Sequence, residues 1–390
     1  MRWAVETTMF GARFRLLRLF GIPISVDASW LIILALITWT LSKAVFEREL
    51  PDLSKGERLL LGLVTALAFF LCIVLHELGH ALVARSAGIP IRGITLFLFG
   101  GVAELTGEPL SAASEFRMAI AGPLVSAVLG ATFWILSVIG ASQGWPRPLD
   151  LVFEYLFWIN LIVLVFNLIP AFPLDGGRVF RSIVWGITRN LRRATRWAAA
   201  LGQGLAWLLI AWGVLRFFSQ DIFGGIWTCL IGMFLNNAAR SSYQQVVIRQ
   251  ALQGEPVSRF MNLQPIVVPP SLDLRSWVED YVYRYHRKTF PVASNGHLEG
   301  YITTHALARF PRAEWDQHTV AEAMRQDLDA ITILPNTDAL DALSRMQRTG
   351  ASRLLVSDGQ RLLGIVSLKD LLRFLNLKME LEHTGEGGAP

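Results

Sequence analysis

The sequence predicts a polytopic α-helical membrane protein with about six transmembrane helices and a short membrane-associated β segment, followed by a soluble α/β module. Three observations carry this prediction. Only 17% of the 390 residues are charged and 53% are hydrophobic, against roughly a quarter charged in an ordinary soluble domain. The long uncharged runs all lie before about residue 240. Beyond that point the chain is mixed in charge and repeats itself at a nearly fixed offset.

A spanning helix needs about 20 mostly apolar residues. Six runs qualify: Val26–Val45, Leu59–Ala84, Met118–Ser142, Leu151–Ile169, Trp197–Leu215 and Ile222–Ala239. The first has no convincing cleavage site and reads as a retained helix rather than a secretory signal. Glycines weaken the last two. Ile91–Leu105 is too short to span, rich in β-branched residues and interrupted by Gly100-Gly101. It reads as a strand or hairpin partly inserted in the membrane. Cys72 and Cys229 sit in apolar runs, where they read as packing residues, so no disulfide framework is expected.

The net charge of +5 follows the membrane segments, which argues against nucleic acid as a partner. Arg2, Arg13, Arg15 and Arg18 precede the first span against Glu6 alone. Arg178, Arg181, Arg189, Arg192, Arg193 and Arg196 follow the fourth against Asp175 alone. With six spans these two segments share a side. The expectation is a multi-pass protein of the cell membrane with both termini and the C-terminal module in the cytoplasm.

The second span holds His76-Glu77-Leu78-Gly79-His80. Residues i and i+4 share a helix face, so the two imidazoles can grip one zinc ion while Glu77 takes a proton from the attacking water. Ionisable groups in a run of 26 otherwise apolar residues, Leu59–Ala84, are costly to bury and point to function. A catalytic zinc wants a third protein ligand. The fourth span ends in Asn167-Leu168-Ile169-Pro170-Ala171-Phe172-Pro173-Leu174-Asp175-Gly176-Gly177, where the prolines break the helix and the glycines permit a tight turn. Spans two and four run in the same direction, which puts His76 and Asp175 at matching depth. Water must reach such a site through a polar channel, expected from the cytoplasmic side.

The pair His76-Glu77-x-x-His80 and Asn167-x-x-Pro170-x-x-x-Leu174-Asp175-Gly176 resembles the site-2 protease family of intramembrane metalloproteases. Phe99-Gly100-Gly101 and Ala121-Gly122-Pro123 match two weaker marks of that family. The resemblance covers about residues 10–240. It implies one zinc per chain held by His76, His80 and Asp175, Glu77 as general base and later acid, and Asn167 as a candidate to hold substrate or the oxyanion, with a helix-packing amide as the alternative. It also implies a substrate that is a single-span membrane protein, cut within the bilayer. An exposed strand edge in Ile91–Leu105 would hold the unwound peptide by β-augmentation, with Glu104 either helping there or facing water; the alternative is a structural hairpin that covers the site.

In the second half Val257-x-x-x-Met261 recurs as Val320-x-x-x-Met324, Phe290-Pro291-Val292 as Leu354-Leu355-Val356, and Gly300-Tyr301-Ile302-Thr303 as Gly364-Ile365-Val366-Ser367, at offsets of 63, 64 and 64 residues. This duplication resembles tandem CBS domains, which implies an adenine nucleotide or a homodimer contact at the pair. Gly364, Ser367 and Asp370 would face the nucleotide. In the first unit Thr303 matches but Ala306 stands where the acid is expected. The expected division is a membrane domain over 1–240, a linker over 241–255, units over 256–312 and 313–380, and a disordered tail over 381–390. A CBS-gated ion or metal transporter is the alternative reading. It predicts ionisable residues on several spans, whereas this chain concentrates them on two.

Overall fold

A computed structural model describes residues 7–8, 11–97, 100–105, 109–359 and 361–386. Arg2, Glu6, Phe99 and the end of the tail from Gly387 lie outside the described residues. The chain divides into two compact units, Met1–Gln244 and Gln245–Pro390.

Among the described residues six helices are long and apolar enough to cross a membrane: α1 (Ser29–Glu49), α2 (Lys55–Ser86), α3 (Ala112–Gln143), α4 (Arg147–Asn167), α6 (Leu191–Phe218) and α7 (Ile222–Leu252). The short α5 (Asp175–Thr188) lies between the fourth and fifth. Helix α2 starts on a capping box, with the Ser54 hydroxyl accepting the Glu57 amide and the Glu57 carboxylate accepting the Ser54 amide. The glycines that blur the last two spans are packing devices. A Cβ at Gly213 would lie 2.6 Å from Cys229 Sγ, and one at Gly232 would lie 2.8 Å from the Ala206 carbonyl. Small residues let α6 and α7 approach where burial from water supplies no drive.

A five-stranded sheet runs in the order β1 (Thr7–Thr8), β2 (Gly11–Leu19), β3 (Ile22–Asp27), β4 (Ile91–Phe97), β5 (Gly100–Leu105). Strands β4 and β5 form the hairpin expected over Ile91–Leu105. The β2–β3 hairpin was not anticipated. Its two loop residues, Phe20 and Gly21, both have positive φ, 50° and 81°, the conformation of the turns that match strand twist. The first span accordingly begins at Ser29 rather than Val26. Val26 lies in β3, which runs parallel to β4, and Asp27 Oδ1 accepts the Ser29 amide at 2.9 Å to start the helix. Ile24, Val26 and Leu96 pack on Phe70 and Val74, and Ile22 and Ile94 on Leu78 and Ala81. The sheet therefore lies along the face of α2 that carries the histidines' neighbours.

The second unit holds two cores. Strands β6 (Thr289–Ser294) and β7 (His297–Thr303) pair Phe290↔Ile302 and Val292↔Gly300. Strands β9 (Arg353–Ser357) and β10 (Leu362–Ser367) pair Leu354↔Val366 and Val356↔Gly364, with the short β8 (Thr332–Ile333) beside β9. The sequence repeat is thus a repeat of register. Packing, however, exchanges segments between repeats. Val257 and Met261 belong to the core of Leu354, Val356 and Ile365. Val320 and Met324 belong to that of Phe290, Val292 and Ile302. The tail expected from 381 is helical through Glu386, because the helix from Leu368 continues through residues with good helix propensity, Met379, Glu380, Leu381 and Glu382.

Candidate metal centre

His76 and His80 lie one turn apart on α2, both buried. Asp175 comes from a segment folded for close approach. Helix α4 ends at Asn167, and the chain turns through Ala171, whose amide bonds the Ile169 carbonyl at 2.7 Å. It then docks the Phe172 amide on the Ala198 carbonyl at 3.2 Å. The Phe172–Pro173 peptide is cis. Asp175 is then the first residue of α5, directly after the extended Leu174. Gly176 and Gly177 do not form the turn the sequence suggested. They are helical and buried, and a Cβ on Gly177 would stand 2.5 Å from backbone atoms of Ala171 and Phe172. The glycines let the helix start rest on the loop before it.

Three donor atoms converge. Asp175 Oδ2 is 3.0 Å from His76 Nε2 and 3.1 Å from His80 Nε2, and the two nitrogens are 3.2 Å apart. The other ring nitrogens are held from behind. His80 Nδ1 donates to the Met118 carbonyl at 2.7 Å, and His76 Nδ1 lies 2.8 Å from Ser126 Oγ. A carbonyl only accepts, so His80 carries a proton on Nδ1, and its Nε2 is the atom turned toward Asp175. Donor atoms brought this close either share protons or hold a cation between them, and these three form a group able to ligate a metal. Two imidazoles and a carboxylate suit zinc, and a tetrahedral site with arms of about 2.0 Å has edges of about 3.3 Å. The observed spacing fits.

Room for the ion is kept by Gly122 on α3. A Cβ there would lie 2.6 Å from His76 Nε2 and closer still to His80 Nε2. Gly79, between the histidines, faces Ala121 and Val125 in the same way, so α2 and α3 meet at closest approach beside the donors. Glu77 is half-buried and faces β5, where a Cβ at Gly101 would come within 2.8 Å of its Cγ. Strand β5 is the last in the sheet order. Glu104 lies farther along it and accepts from Thr95 Oγ1 at 3.2 Å. Asn167 is half-buried at the end of α4 and is not bonded to any of the three donors. Sequence reasoning missed Ser126, the Met118 carbonyl and the packing role of Gly122. It also missed a buried ion pair between Glu115 on α3 and Arg181 on α5, with Arg181 Nε 2.6 Å from Glu115 Oε1.

In the C-terminal unit Ser367 and Asp370 come together as a helix cap. The Ser367 hydroxyl donates to Asp370 Oδ2 at 2.6 Å, and the Ser367 amide donates to the same oxygen at 2.9 Å. Gly364 has a structural reason of its own, since a Cβ there would stand 2.7 Å from the Asn262 carbonyl. Thr303 ends β7 and precedes the following turn without a side-chain hydrogen bond to it, and Ala306 is buried in the core. Arg353 is half-buried near Arg287 and Asp370. Burial and the like charge of Arg287 push its guanidinium below its ordinary value, against the opposing pull of Asp370.

Comparison with known proteins agrees with this architecture. The profile of peptidase family M50 matches residues 64–150 and 141–211, and that of the CBS domain matches residues 320–377. A proposed zinc metalloprotease of Synechocystis sp. is 37% identical over 87% of this chain and 88% of its own length. Rip3 of Mycobacterium tuberculosis, also named as a proposed zinc metalloprotease, is 33% identical over 92% of both chains. A zinc metalloprotease of Methanocaldococcus jannaschii is 30% identical over 94% of this chain and 98% of its own. The chain belongs to peptidase family M50, the site-2 protease family, and carries a CBS domain in its C-terminal unit.

Proposed function

We propose that this chain is an intramembrane zinc endopeptidase that cuts the membrane segment of single-span proteins, under the control of a nucleotide at its CBS pair. The observation that carries the proposal is the convergence of His76 Nε2, His80 Nε2 and Asp175 Oδ2 to within 3.0–3.2 Å of one another, with Glu77 between the two histidines in sequence. Zinc, when bound by these three groups, would acidify water and polarise a carbonyl. The chain's own residues do the rest. Glu77 accepts the proton of the attacking water and later returns it to the leaving amine. Ser126 and the Met118 carbonyl hold the imidazoles in one tautomer and orientation. The edge of β5, last in the sheet among the described residues, passes Glu77, so a substrate helix unwound there can pair as an added strand and present its carbonyl.

Positive-inside asymmetry supports placing both termini and the CBS unit in the cytoplasm. Arg353 and Arg287 supply cations for nucleotide phosphates, and Asp370 and Ser367 supply acceptors for a ribose. The same module can also join two copies of the chain.

The test is the Glu77→Gln variant, purified with its metal and assayed on a single-span reporter peptide. The expected result is unchanged zinc per chain with cleavage lowered by about 10²–10⁴-fold. Full cleavage in the variant would refute the proposal, as would ion flux through reconstituted vesicles that survives the change while no cleavage occurs in either form.

A further inference from the structure

Resting on the hydrolase reading above, we infer that Arg178 donates a hydrogen bond to the substrate carbonyl under attack. Arg178 follows Asp175 by three residues on α5, so the two share a helix face. Its Nη2 reaches the Met118 Sδ at 3.8 Å, and the Met118 carbonyl is the group that holds His80. The guanidinium therefore lies against the residue that backs the metal ligands. The carboxylates of Glu77, Asp175 and Glu115 are all close enough to act on its charge.

Yet a thioether is the one hydrogen-bond acceptor Arg178 has among the described residues. A guanidinium carries five N–H donors, and donors left without an acceptor at membrane depth are costly. The neighbouring Arg181 takes the nearest carboxylate, Glu115. An unsatisfied cation on the ligand-bearing face fits a partner that arrives with substrate.

The chemistry supplies one. Glu77 takes a proton from water as the water oxygen bonds to the peptide carbon. The carbonyl π pair moves onto oxygen, giving an anionic tetrahedral centre. The C–N bond then breaks, its electron pair goes to nitrogen, and Glu77 returns the proton there. The N–H of Arg178 toward that oxygen strengthens as the negative charge builds, so its contribution falls on turnover rather than on binding.

The rival role for Arg178 is structural, as a charge balancing Glu115, whose Oε2 is buried without a partner. The experiment separates the two. Full-length zinc-loaded protein is assayed on a single-span peptide carrying a fluorophore and quencher, comparing wild type with Glu77→Gln, Arg178→Gln, Arg178→Lys and Arg178→Gln/Glu115→Gln. Arg178→Gln is expected to lower kcat by about 10²–10³-fold with KM and zinc content within about threefold, and Arg178→Lys to restore part of the loss. Affinity for a phosphinic pseudopeptide, an anionic tetrahedral analogue, should fall by the same factor as kcat/KM, while affinity for a hydroxamate peptide stays put. The inference is overturned if Arg178→Gln keeps its turnover. It is also overturned if that variant loses thermal stability or zinc and the added Glu115→Gln change restores both activity and stability. A wild type that cleaves no better than Glu77→Gln sinks the hydrolase reading, and this inference with it. Cleavage that Glu77→Gln abolishes and Arg178→Gln does not sinks this inference alone.

Discussion

A histidine nitrogen is a good metal ligand only when the proton on its other nitrogen is held elsewhere. Ser126 does this for His76 at 2.8 Å. Replacing Ser126 by Ala should weaken zinc binding by about 10–100-fold, read by competition with a chelator, and excess zinc should recover the lost activity. Gly122→Ala is a harsher change, because the methyl group would fall on both Nε2 atoms. Bound zinc per chain should drop at least about tenfold, with no recovery at high zinc, since the ion's own space is filled. The histidines, Glu77 and Asp175 were legible in the sequence because ionisable groups stand out in an apolar run and helix spacing is local. Ser126 was not, since it reaches His76 from 50 residues away and a serine in a membrane helix carries no signal of its own; Gly122 stood out only within Ala121-Gly122-Pro123, and its place against the histidines was hidden by the separation of about 42 residues.

At the scale of the element, the helices were legible and the β2–β3 hairpin was not. Its strand interleaves Arg15 and Arg18 with Phe14 and Leu17, and the basic residues read as a cytoplasmic flank. What makes it a strand is non-local pairing of β3 with β4, 70 residues on at Ile24↔Ile94. Glycines were misread for a related reason. Gly176-Gly177 looked like a turn and is a helix start pressed onto a loop. Gly364, a candidate nucleotide contact, has a packing role as well, since it sits where β10 meets Asn262, whose carbonyl accepts the Ile365 amide at 3.1 Å. Gly364→Ala puts a methyl group against that backbone, as the equivalent Gly300→Ala does against the Arg325 carbonyl at 2.6 Å. Each should destabilise the C-terminal unit by about 1–3 kcal/mol, seen as a lower thermal midpoint without added nucleotide. Were Gly364→Ala to leave that midpoint unchanged and weaken adenine nucleotide binding instead, its role would lie with the ligand.

At the scale of the molecule, the repeat at 64 residues was legible because duplicated strands keep their register. The exchange of Val257–Met261 and Val320–Met324 between the cores was hidden, since each segment looks the same in sequence whichever core it joins. The metal poses the last whole-chain question. His76 and Asp175 are 99 residues apart, in helices joined through two other segments, so an ion bound to both ties α2 to α5 only when the chain is folded. Anything that binds the folded form alone stabilises it by RT ln(1 + [L]/Kd), about 4 kcal/mol at a thousandfold excess over Kd. Without the ion, three donor atoms within 3.2 Å either repel or take up protons. Chelating the zinc should therefore abolish cleavage and lower the thermal midpoint of the membrane unit, and readding zinc should restore both. The control is Asp175→Asn, whose amide keeps the volume but loses the charge. Its midpoint should respond weakly to zinc or chelator. If the wild-type midpoint ignores chelation while zinc leaves the protein, the ion does not link these helices, and their convergence comes from packing around Gly79, Gly122 and Gly177 alone.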